Sequence, residues 1–137
     1  MRPDPMGDKG LHTFRYAIYL HDEPYGENVV EKAYQFNYPV QLVAEGLPMD
    51  SLVSVNNRDV VLETVKPCED AQKAYIIRLY ESTGAYAKCR LTFGHPVQSV
   101  RVCNMLEEEE RTMAPDEELV FTPFTIQTIK VVYGEDC

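Results

Sequence analysis

From His12 onward the chain alternates: Phe14, Tyr16, Ile18 and Leu20 share one face, while Thr13 and Arg15 fall on the other. A period of two with one apolar face predicts a long strand of an antiparallel sheet. The turn Asp22-Glu23-Pro24-Tyr25-Gly26 ends it. Residues 27–36 then set Val29, Val30, Ala33 and Tyr34 at spacings near i, i+4, which predicts a short helix. Tyr38-Pro39 opens an extended run over residues 40–44, closed by a turn at 45–48.

Beyond that point short strands are predicted at residues 51–55, 60–66, 73–80, 86–93, 97–106, 119–121 and 124–133. Residue clusters that favour turns separate them, among them Asn56-Asn57-Arg58-Asp59, Ser82-Thr83-Gly84-Ala85 and Gly94-His95-Pro96. Within 86–93 the outward residues are Tyr86, Lys88, Arg90 and Thr92, and Cys89 falls in phase with Ala87, Leu91 and Phe93 as a small core hydrophobe. Residues 107–118 read as an acidic, solvated loop opening with four glutamates. Glu107 stands apart from the other three because it closes the strand-end run Asn104-Met105-Leu106-Glu107. The total is about eight or nine strands and one short helix, the signature of an all-β antiparallel sandwich. Residues 1–10, with Pro3 and Pro5, read as an extended linker, and residues 11–137 as a single domain.

Composition changes this picture by exclusion. At 137 residues and 45% hydrophobic content the chain can build one core. A net charge of −9 with scattered Lys and Arg argues against nucleic acid and against an anionic membrane surface. No apolar run reaches the roughly 20 residues of a membrane span, and Met1-Arg2-Pro3-Asp4-Pro5 lacks the apolar core of a secretion signal. The four cysteines include no C-x-x-C pair; they could form disulfides, but 137 residues can build a core without them, which favours a reducing compartment, the cytoplasm.

Candidate chemistry is sparse. With three histidines, no H-E-x-x-H and no Cys/His cluster, neither metal ligands nor catalytic residues are expected in this chain. Two constellations remain. Arg78 lies opposite Tyr75, Ile77 and Leu79 in an apolar segment, so it needs a partner, and Glu81 at the strand end is the nearest candidate. Asp8 and His12 flank Gly10, either as a side-chain lock on the loop or as a contact with a neighbouring domain or active-site rim. Asp8, His12, Arg78 and Glu81 are therefore the interdomain or rim candidates.

Several runs occur together and in order: Asp8-x-Gly10-x-His12-x-Phe14-x-Tyr16, Ala33-Tyr34-x-x-Asn37-x-Pro39, residues 60–66, Arg78-Leu79-Tyr80-Glu81-x-x-Gly84, Asn104-Met105-Leu106-Glu107 and Pro123-Phe124-x-Ile126-x-Thr128. This set resembles the C-terminal β domain of glycoside hydrolase family 38, the α-mannosidases, and the cytosolic type in particular. Asp22-Glu23-Pro24 and the acidic loop after Glu107 depart from the family pattern. The resemblance implies a non-catalytic domain, joined through residues 1–10 to a preceding domain and packed against the catalytic and helical regions of a parent enzyme. That parent would cleave terminal α-mannosides with a zinc ion held in its own catalytic domain. This chain alone would bind no zinc and hydrolyse nothing, and would meet carbohydrate only through the parent. The alternatives are a free-standing carbohydrate-binding module, disfavoured by the absence of tryptophan, and a subunit-contact domain that forms a homo-oligomer through a sheet edge.

Overall fold

The computed structural model describes residues 7, 9–42 and 51–134. One helix, α1 (Glu27–Asn37), opens on the Gly26 carbonyl, which accepts from the Val29 and Val30 amides. It closes with the Tyr38 amide donating to Tyr34 O at 2.7 Å, just ahead of Pro39, as the restriction on the residue before proline requires. Nine strands follow: β1 (Val53–Val55), β2 (Val60–Pro67), β3 (Ala74–Glu81), β4 (Ala87–Cys89), β5 (Leu91–Phe93), β6 (Val97–Cys103), β7 (Glu109–Met113), β8 (Leu119–Phe121) and β9 (Ile126–Tyr133). All their pairings are antiparallel. A five-stranded sheet in the order β2-β3-β9-β6-β7 accompanies two ribbons, β1-β5 and β4-β8.

The core lies between these layers. Tyr75, Ile77 and Leu79 of β3 pack with Val100, Ile129 and Val131 of the large sheet and with Ala87, Cys89, Leu91, Leu119 and Phe121 of the ribbons. The all-β sandwich expected from the turn spacing is therefore the observed architecture.

Local differences have physical causes. Residues 86–93 keep one unbroken alternation, yet they form two strands, because β4 pairs with β8 and β5 with β1. The changeover is at Arg90, where Arg90 and Asn56 exchange hydrogen bonds and the chain passes from one ribbon to the other. The acidic run is not wholly a loop, since Glu109–Met113 is edge strand β7. Its like charges are tolerated because Glu109 meets Arg101 at 2.9 Å and Lys130 at 3.0 Å. The turn at Asn56–Asp59 forms, with the Asp59 amide donating to Asn57 Oδ1, but it is no hairpin because β1 and β2 do not pair.

The largest correction concerns residues 12–21, which form no strand. Phe14, Tyr16, Ile18 and Leu20 are 82%, 81%, 83% and 88% exposed. Alternation specifies a face, whereas a strand also needs a neighbour for its backbone N–H and C=O groups. Among the described residues no strand pairs with this segment. Residues 40–42 are likewise unpaired, and the remainder of that extended run and its turn lie outside the described residues.

Leu79 is fully buried between the layers. Leu79→Ala should cost about 2–5 kcal/mol in urea unfolding, whereas Thr92→Ala, on the exposed face of β5, should stay within about 0.5 kcal/mol.

Candidate functional site

Arg78 and Glu81 do not meet. Residues three apart in a strand point to opposite faces, and Arg78 lies on the outer face between Thr64 and Thr128. Its partner is Glu107: Arg78 Nη2 is 3.8 Å from Glu107 Oε1 and also donates to Met105 O at 3.2 Å. Lys66 Nζ comes closer to the same carboxylate, at 2.6 Å, and bridges to Glu69 at 2.9 Å.

The backbone presents Glu107 deliberately. Its φ of 69° is left-handed, costly for a residue with a side chain. Asn104 holds the loop there: its Oδ1 accepts from the Leu106 and Glu108 amides, and its backbone carbonyl accepts from the Glu107 amide at 3.0 Å. The hydrogen bond from Lys66 holds the Glu107 carboxyl below the usual range, against the opposing pull of burial. In return Glu107 raises Lys66. Arg78 Nε and Glu107 Oε2 are closed off from solvent without a well-formed hydrogen bond, although the Glu69 amide lies near enough to help hold the Glu107 carboxyl down. Such a cluster can clamp strands and present charge. Beside it Glu63, Arg78, Tyr80, Met105 and Ile126 line a cavity of about 200 Å³. The Tyr34 and Tyr80 hydroxyls, 3.3 Å apart, bring α1 to the same face.

Glu81 instead enters the sandwich, fully buried. Its carboxylate accepts from the amides of Thr83 at 2.7 Å, Gly84 at 2.8 Å and Phe124 at 2.9 Å, and from the Thr83 hydroxyl. Burial alone would raise this carboxyl, but the Phe124 amide, the Thr83 hydroxyl and the Thr83 and Ala85 amides together lower it to about 2. One carboxylate thus joins the turn after β3 to the loop before β9. Phe124, at φ 56°, lays its ring over Gly84, where an added Cβ would fall 2.7 Å from the ring.

His12 is exposed, and Asp8 lies outside the described residues. Of the described candidates, Arg78 and Glu81 do not share a site: they serve opposite faces of the large sheet. At the other end of β3, Tyr75 Oη and His95 Nε2 are 3.0 Å apart, and with Tyr133 they line a groove of about 560 Å³. Sequence reasoning missed this pair, because nothing links Tyr75 to His95 until β3 and β9 are in register. No group of three or more His, Cys, Asp or Glu among the described residues could hold a metal ion.

A family model described as "Glycosyl hydrolases family 38 C-terminal beta sandwich domain" matches residues 59–129. The chain is similar to alpha-mannosidase 2C1 of Mus musculus, 34% identical over 95% of this chain and 14% of that protein. It is similar to alpha-mannosidase 2C1 of Homo sapiens at 32%, with the same coverages. With the alpha-mannosidase of Saccharomyces cerevisiae it shares 28% identity over 60% of this chain and 9% of that protein. The chain thus spans 14% of the length of its two mammalian relatives.

The carboxylates set the acid limit of this fold. A carboxyl held low in the folded state contributes stability above its unfolded value near 4.5, and that contribution is lost as pH falls through the folded value, about 2 for Glu81. Unfolding free energy should therefore drop between about pH 4.5 and 2. Glu81→Gln should lower stability at pH 7 by about 1–3 kcal/mol and flatten the acid slope, measured by urea unfolding at stepped pH. An unchanged slope would contradict the assignment.

Proposed function

The chain belongs to the glycosyl hydrolase family 38 C-terminal β-sandwich domains, and from that premise we propose that it is the non-catalytic C-terminal domain of an α-mannosidase. It packs against the catalytic and helical regions of the longer polypeptide and supports them. The observation that carries this reading is the distribution of exposed apolar side chains. The sandwich has its own core and exposes some large apolar side chains, such as Tyr86, Leu106 and Phe124, whereas the segment ahead of it exposes a run of them: Leu11, Phe14, Tyr16, Ile18 and Leu20, and then Tyr38, Val40 and Leu42. Contiguous exposed apolar surface of this kind marks an interaction site.

The parent's activity would be removal of terminal α-mannosides, with carbohydrate reaching this domain only through the assembled enzyme. Zinc would be held by the parent's catalytic region, and no step through zinc is assigned to this chain. A cytoplasmic location accords with Cys68, Cys89 and Cys103, which are buried and unbridged. Burial pushes the Cys89 thiol up to about 11, so it behaves as an inert core group.

Grafting tests the proposal. Mouse alpha-mannosidase 2C1 lacking the portion matched by this chain should be inactive towards 4-nitrophenyl α-mannoside, and joining this chain in its place should restore turnover. Phe14→Ser with Ile18→Ser should lower the restored activity by at least about tenfold, since each loses a large apolar contact. Turnover by the purified 137-residue chain alone, or a doubly substituted graft as active as the parent graft, would overturn the proposal.

A further inference from the structure

Resting on that docking role, we infer its mode: residues 12–20 are a β-strand that adds to an open sheet edge in the remainder of the family 38 polypeptide. Phe14, Tyr16, Ile18 and Leu20 then cover the apolar side of that sheet. These four share one parity, and each is more than four-fifths exposed. Between them stand Thr13, Arg15, Ala17 and Tyr19. No helix, turn or strand interrupts residues 11–21. An extended segment that buries one row of side chains must also find partners for its backbone N–H and C=O groups, and a sheet edge satisfies both needs at once.

Neither edge of the domain's large sheet pairs with this segment. The five-stranded sheet ends in β2 and β7, and β7 offers Glu109, Glu110 and Arg111, charges that discourage an apolar strand. The opposite parity of the segment is already engaged near α1: the Arg15 guanidinium lies 5.2 Å over the Phe36 ring, and the Tyr19 ring stacks on His21, whose Nδ1 is 2.6 Å from Glu23 O. The apolar row is left outward.

The edge belongs to the rest of the polypeptide rather than to a second copy. Two such segments pairing with each other would form only a two-stranded ribbon, marginal by itself. Copies carrying a net charge of −9 also repel. The matched mammalian proteins, by contrast, are mostly sequence that this chain does not contain.

Residue-resolved amide hydrogen exchange on the active graft and on the 137-residue chain alone tests this. In the chain alone, the amides of residues 13–20 should exchange freely. In the graft, one parity of those amides, either 13, 15, 17 and 19 or 14, 16, 18 and 20, should slow by about a hundredfold, with the other parity still fast. An active graft with no protection there, or with both parities slowed alike, overturns strand addition while leaving the docking role intact. Protection that appears in the chain alone and grows with its concentration overturns it in favour of a second copy. A graft that never becomes active counts against both readings.

Discussion

Strand β3 is the constraint on which the other elements depend. It lies between β2 and β9, and all of it but Arg78 and Tyr80 is buried. Its inner residues, Tyr75, Ile77 and Leu79, form the floor on which both ribbons rest. On its outer face Arg78, flanked by Thr64 and Thr128, is held by the Glu107 carboxylate and the Met105 carbonyl. Its last residue, Glu81, turns inward and satisfies the amides of two loops at once. One strand therefore fixes the layer spacing, the position of the acidic loop and the join between β3 and β9.

The polar devices at its ends use strain in a consistent way. Glu107 and Phe124 both hold left-handed backbone, each under a dense set of local hydrogen bonds. Asn104 enforces the first, and Glu81, with the Thr122–Thr125 hydroxyl contact, enforces the second. Such conformations persist only where the surroundings over-determine them. Here they aim one carboxylate at Lys66 and Arg78 and bring one aromatic ring against Gly84. Both serve cohesion of the sandwich.

Much of this was legible from residue order. The helix and the inward phase of Ala87, Cys89 and Leu91 follow from periodicity, because burial of one face leaves its mark on every second or every third to fourth residue, and the sandwich class follows from the spacing of the turns. Strand β7 was hidden because its residues alternate no hydrophobicity; an edge strand with one buried residue, Met113, leaves no such mark. Arg78 needed a partner, and the sequence showed that need, but its source, Glu107, is brought close only by the register of β3, β9 and β6. Residues 12–20 are the opposite case. Their pattern is the clearest in the chain, and they form no strand, because a pattern can state which face must be buried without containing what buries it.

That last point carries the proposed function: a β-sandwich with its own core, preceded by a segment whose apolar face, in our proposal, other parts of a family 38 enzyme cover. The most direct measurement is an experimental structure of the intact enzyme or of an active graft, read at Phe14, Tyr16, Ile18 and Leu20. All four side chains should be buried there, with the segment hydrogen-bonded along a strand from outside this chain. The same four side chains still more than four-fifths exposed, as they are in this chain alone, would contradict the account.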